Sequence, residues 1–150
     1  MSELRDLYQE VVLDHGKNPR NFRHMDDATH QSVGFNPLCG DKLTLFLRYE
    51  NDVVQDASFQ GSGCAISTAS ASLLTEIVKG KERQAVEQLV ADFIEMLTGE
   101  QGNGFDPQKI GKLAVFSGVR DFPVRVKCAT LSWRTLEAAL GDSQGEVTTE

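Results

Sequence analysis

Residues 42–70 read KLTLFLRYENDVVQDASFQGSGCAISTAS, and the changes of period within this stretch decide the fold. From Lys42 the apolar side chains alternate: Leu43, Leu45, Leu47 and Tyr49 face one way, and Thr44, Phe46 and Arg48 face the other. That two-residue period is a strand with one buried face. Glu50-Asn51-Asp52 makes a turn, after which Val53, Ala57 and Phe59 alternate with Val54, Asp56, Ser58 and Gln60 up to Gly61, closing an antiparallel hairpin. Beyond Gly63 the alternation stops. The sequence CAISTASASLLTEIVKG is rich in small residues and carries Ile66, Leu73, Leu74 and Ile77, which predicts a helix packed closely on the sheet with Cys64 at its N-terminus.

Working outward, Leu4, Leu7, Tyr8, Val11 and Val12 recur at helical spacing behind Ser2, and the polar run from His15 to Arg20 ends that helix, with His15 read as a capping side chain. Gln31 to Asn36 offers a weaker third strand. Ala85, Leu89, Phe93, Met96 and Leu97 mark a further helix ending near Gly99. After the loop Gln101–Gly104, Asp106-Pro107 reads as a cap followed by proline at the first helical position. A last helix carries Leu131, Leu136, Ala139 and Leu140 and stops at Gly141; the tail 141–150, GDSQGEVTTE, is polar and expected to be disordered. The sum is a single α+β domain over residues 1–140: a short antiparallel sheet of about three strands packed against several helices.

At 150 residues, 40% of them hydrophobic, the chain can bury a core that needs no metal or disulfide to hold it. A formal net charge of −7, with no run of basic residues interleaved with aromatics, argues against nucleic acid as a partner. The N-terminus is charged from Glu3 onward and no apolar run approaches a signal core or a membrane span, so a cytoplasmic protein away from membranes is expected. In that reducing setting three cysteines, Cys39, Cys64 and Cys128, with no CxxC pair among them, are free thiols, nucleophiles or metal ligands rather than a disulfide framework.

Each cysteine has a telling neighbourhood. Cys39 lies in the turn-forming Asn36-Pro37-Leu38-Cys39-Gly40-Asp41, where a core thiol would be out of place. Cys64 follows Gly61-Ser62-Gly63 at a strand-to-helix junction, where unpaired N–H groups and the helix dipole favour thiolate. Cys128 stands beside Lys127 and near Arg125, whose charges favour thiolate further. Asp41 is the natural fourth group, because Gly40 lets the backbone bend so that Cys39 and Asp41 aim at one point. Three thiolates and a carboxylate make a tetrahedral zinc site, with zinc–sulfur bonds of ~2.3 Å and zinc–oxygen bonds of ~2.0 Å. The same sulfur-rich set also suits iron–sulfur chemistry. His15, His24 and His30 all lie early in the chain, and no neighbouring motif recruits them into a cysteine–histidine hydrolase.

Cys39-Gly40-Asp41, the stretch Gly61-Ser62-Gly63-Cys64-Ala65-Ile66-Ser67-Thr68-Ala69-Ser70, and Phe122-Pro123-Val124-Arg125-Val126-Lys127-Cys128 resemble the three cysteine motifs of the IscU/NifU-type iron–sulfur assembly proteins. Asp14-His15 and Asn18-Pro19-Arg20-Asn21 match as well, so the resemblance runs from about Leu4 to Leu140. Lys127 stands where IscU scaffolds have histidine, the segment around Leu97 to Phe116 reads as an insertion, and the chaperone-binding LPPVK sequence is altered to Phe122–Val126. The first two departures resemble the SufU branch. That resemblance implies zinc held by Cys39, Asp41, Cys64 and Cys128, persulfide sulfur accepted on Cys39 from a SufS-type cysteine desulfurase, and delivery to downstream Suf assembly proteins. In that scheme Arg125 and Lys127 steady the anionic thiolate or persulfide. The alternative is a scaffold on which an iron–sulfur cluster is built and then handed on.

Overall fold

The computed structural model of the protein describes residues 2–99, 110–141 and 146–148. The elements run α1 (Ser2–Lys17), β1 (His30–Asn36), β2 (Asp41–Glu50), β3 (Val53–Ser62), α2 (Ala65–Val78), α3 (Arg83–Thr98), a 3₁₀ segment (Gly111–Val119), α4 (Pro123–Leu140) and β4 (Glu146–Thr148). The sheet order is β3-β2-β1-β4. The hairpin read from residues 42–61 is present in register, with Leu45 opposite Phe59 and Leu47 opposite Ala57. Its turn places Asn51 and Asp52 at φ 56° and 63°, the left-handed region that these residue types tolerate.

The third strand is a full partner: β1 pairs antiparallel along β2 from His30 opposite Leu47 to Asn36 opposite Asp41. It looked weak in the sequence because its inward positions are Ser32, Gly34 and Asn36, small or polar residues that are nevertheless buried. The tail corrects one expectation. Instead of being structureless throughout, it supplies Glu146–Thr148, which pair parallel with Val33, Gly34 and Phe35. An edge strand offers unpaired backbone N–H and C=O groups, and the Val147-Thr148 pair is β-branched, so even this polar tail has a reason to add there. The loop at Gln101–Gly104 and the Asp106-Pro107 cap lie outside the described residues.

The core lies between the sheet and the helices. Leu43, Leu45, Leu47, Ala57 and Phe59 meet Leu73 and Leu74 of α2, Phe93 and Leu97 of α3, Phe116 of the 3₁₀ segment, and Leu131, Trp133 and Leu136 of α4. Phe93 stacks beside Trp133 at 5.0 Å between ring centroids and meets Phe116 edge-on at 6.0 Å. The indole N–H of Trp133 is not stranded: it donates to Ser70 Oγ at 3.0 Å, which in turn donates to the Ala129 carbonyl. Small residues on α2, among them Ala69, Ser70, Ala71 and Ser72, are buried and let α4 and α1 approach closely. This places the start of α2, the second turn of α4 and the β1–β2 turn at one end of the sheet.

Candidate metal centre

Cys39 sits in the turn between β1 and β2 and is exposed. Gly40 behind it has φ +73°, the conformation that turns the chain sharply into Asp41, the first residue of β2. Asp41 is wholly buried at 0% exposure, an unusual state for a carboxylate, and it has work in that position. Its Oδ1 accepts the Cys64 N–H at 2.8 Å, and its Oδ2 lies 3.9 Å from Cys64 Sγ. Cys64 is the N-cap of α2, its Sγ accepting the Ser67 N–H at 3.4 Å. Cys128, 3% exposed, does not stand at a helix end but within α4, where its Sγ lies 3.2 Å from Cys39 Sγ. One ligand atom each from Cys39, Asp41 and Cys128 falls within a 4.8 Å span. Three of the four residues singled out from sequence thus converge, and Cys64 stands beside that cluster, its Sγ next to Asp41 rather than within the three-atom span.

The electrostatics favour unequal thiols. Cys64 is lowered to about 7, chiefly by a hydrogen bond from the Cys128 thiol and, against the opposing effect of burial, by the Ser67 N–H. Cys128 is pushed well up, because its proton is the one shared with Cys64 and because it is buried. The donor set fits zinc: two soft sulfurs and a hard oxygen already adjoin, with a third sulfur beside the oxygen. Sulfurs on a tetrahedral zinc lie about 3.8 Å apart for bonds of ~2.3 Å, so the 3.2 Å Cys39–Cys128 pair must open slightly. The exposed turn is the part able to give.

The two cations are placed less directly. Arg125 is exposed on the first turn of α4, its guanidinium over the Phe122 ring at 4.6 Å. It stands three residues before Cys128, on the same helix face, whereas Lys127 is adjacent in sequence and turned about 100° away from it. Sequence reasoning missed two residues. Tyr8 of α1, a half-buried phenol raised by burial, is near enough to feel the charges of Arg125, Cys64 and Cys128. Asn36 is buried at 0% exposure between Asp41 and Cys128. Its signal was its inward register on β1, hidden by its reading as a turn residue. His15 also differs from expectation: rather than capping α1, its Nδ1 lies 2.7 Å from Ser72 Oγ and its Nε2 3.9 Å from Glu76, both on α2.

Against known proteins, the family described as the NifU-like N-terminal domain matches residues 7–129. The zinc-dependent sulfurtransferase SufU of Bacillus subtilis is 39% identical over 144 residues, covering 96% of each chain. The iron–sulfur cluster assembly scaffold protein IscU of Thermotoga maritima is 42% identical over 135 residues, covering 89% of this chain and 92% of its own. Among solved structures, a SUF-system iron–sulfur cluster assembly scaffold protein from Fervidobacterium islandicum superposes with a TM-score of 0.82 at 34% identity, covering 91% of this chain and 98% of that one.

Proposed function

The chain belongs to the NifU-like N-terminal domain family, and from that premise we propose that it serves iron–sulfur cluster assembly as a zinc-dependent sulfurtransferase, taking persulfide sulfur from a SufS-type cysteine desulfurase. The observation that carries this reading is the inequality of the three thiols: Cys39 is exposed on a turn, Cys64 is partly covered and Cys128 is buried. A sulfur acceptor needs one thiol that a partner protein can reach and others that stay shielded. Cys39, Asp41, Cys64 and Cys128 would hold the zinc. Zinc, being redox-silent, would keep the thiols deprotonated without consuming sulfane sulfur.

The transfer balances without an added oxidant or reductant. The Cys39 thiolate attacks the outer sulfur of the desulfurase persulfide. A new sulfur–sulfur bond forms on Cys39, the donor's own sulfur–sulfur bond breaks, and the donor cysteine leaves as thiolate. Asp41, held by the Cys64 N–H, keeps the end of β2 fixed while the turn presents Cys39. Arg125, on the Cys128 face of α4, is placed to offset negative charge there, and Lys127 adds to the local positive field. Downstream Suf assembly proteins would take the sulfur on, in a reducing cytoplasm.

The test is sulfide release by the desulfurase under reducing conditions with zinc-loaded protein, metal-stripped protein and zinc-loaded Cys39→Ala. Stimulation by the zinc-loaded wild type alone is expected, and Cys39→Ala should carry no persulfide by mass spectrometry. Equal stimulation by Cys39→Ala would remove Cys39 from the role. A second reading rests on the IscU-named relatives: the four ligands receive an iron–sulfur cluster as cargo and pass it on. Anaerobic iron reconstitution separates the two, since a cluster absorbance transferable to an apo-acceptor, together with no stimulation of the desulfurase, would favour the scaffold.

A further inference from the structure

We infer that Asn36 is a positioning residue that fixes Asp41 and Cys128 as the rigid half of the metal centre and leaves Cys39 as the movable half. The inference rests on the proposed reading of Asp41 and Cys128 as ligands.

Asn36 closes β1 directly opposite Asp41, which opens β2, so the turn carrying Cys39 springs from this pair. Its side chain is fully buried at 0% exposure, where an amide must find partners for its donors and its acceptor. The orientation of the amide follows from one contact: Oδ1 takes the Leu38 N–H at 3.3 Å, which leaves Nδ2 with its two hydrogens facing inward. Those hydrogens have two acceptors, Asp41 Oδ2 at 3.4 Å and Cys128 Sγ at 3.6 Å. One neutral side chain thus touches the turn, the strand and the helix. It donates to a carboxylate and a sulfur without adding charge to a pocket already rich in anions. Cys39 receives nothing from it.

A donor to ligand atoms in this position orients them before metal arrives, and loss of such a contact typically weakens metal affinity ten- to hundredfold. Two variants separate this role from simple capping of the turn. Asn36→Ser keeps a short side-chain oxygen able to accept the Leu38 N–H but has no amide donors. Asn36→Asp keeps the acceptor and the shape but presents oxygens to Asp41 and Cys128. Zinc affinity is measured by competition with a chromophoric chelator. On metal-stripped protein, the rate of iodoacetamide labelling is followed at each cysteine by mass spectrometry, and a melting curve confirms that each variant folds.

In both variants a ten- to hundredfold weaker zinc affinity is expected. In Asn36→Ser, whose smaller side chain uncovers the thiol, labelling of Cys128 should rise at least ~5-fold while labelling of Cys39 is unchanged; in Asn36→Asp the added negative charge beside Cys128 holds its proton, and labelling there should not rise. A residue that only caps the turn would instead alter Cys39 labelling and leave zinc affinity within about twofold of wild type. That result, with wild type binding zinc normally, overturns the inference alone. Failure of the wild type itself to bind zinc overturns the ligand reading and the inference with it.

Discussion

Gly63 lies against Asp41, and a Cβ built there would come within 2.6 Å of Asp41 Oδ1, the oxygen that accepts the Cys64 N–H. Because that oxygen belongs to a buried carboxylate locked by strand pairing rather than to a flexible surface chain, it has little room to retreat. Gly63→Ala should therefore lose stability by about 1–3 kcal/mol, as overpacking does, read as a lower urea midpoint, and zinc affinity should fall at least tenfold in the chelator competition. At the same scale the thiols differ in reactivity for physical reasons. Cys128 is buried and holds its proton, so in the metal-stripped protein it should be alkylated at least ten times more slowly than Cys39. Labelling of Cys64 should climb with pH around a midpoint of about 7, set first by the hydrogen bond from Cys128. A timed iodoacetamide series across pH, resolved by peptide mass spectrometry, checks both statements.

α1 is fastened to α2 through His15, and this contact carries a pH dependence. The ring is 6% exposed. Ser72 Oγ, which lies 2.7 Å from Nδ1, also accepts the Arg20 N–H at 2.8 Å. Burial, joined by the charge of Arg20 and opposed by those of Glu76 and Asp14, holds the His15 pKa below its ordinary 6.5. In the unfolded chain the ring takes a proton as pH falls through 6.5, while the folded chain refuses it until lower pH, so stability decreases as pH drops below 6.5. His15→Gln should be less stable than wild type at pH 7.5 but lose less on going to pH 5, which melting curves at the two values will show. The same helix pair marks what the sequence could and could not reveal. The period-two run of β2 and β3 and the small-residue run of α2 were legible because burial writes itself in apolar spacing. β1 was faint because its inward face is Ser32, Gly34 and Asn36, chosen for close approach and hydrogen bonding rather than for bulk. Cys39 and Asp41 could be named from their turn and Cys64 from its helix start, whereas Cys128, inside α4, was marked only by its basic neighbours Arg125 and Lys127. Asn36, and His15 as an inter-helix contact, could not be named, since a buried polar side chain has no periodic signature and is recognised only when its partners are seen.

For the molecule as a whole, the question is whether the proposed metal centre holds the fold or the fold holds the centre. The buried cluster extends over β2 and β3, α1 to α4 and the 3₁₀ segment, with Trp133, Phe93, Phe116 and several leucines almost wholly covered. At about 25 cal/mol per Å² of apolar surface, that is the scale of an independently folding domain rather than of a metal-nucleated one. The centre itself sits at one end of the sheet, between elements that are already fixed by Leu45, Leu73 and Leu131. Removing zinc should therefore leave a cooperative thermal transition, displaced to lower temperature only by the mass action of a ligand that binds the native state alone, about 4 kcal/mol where free zinc exceeds its dissociation constant a thousandfold. Adding back graded zinc should raise the midpoint in proportion to the logarithm of its free concentration. Loss of the cooperative transition on chelation would mean that charge repulsion among Asp41 and the three thiols outweighs the core, and would reassign the zinc from a reactive centre to a structural one.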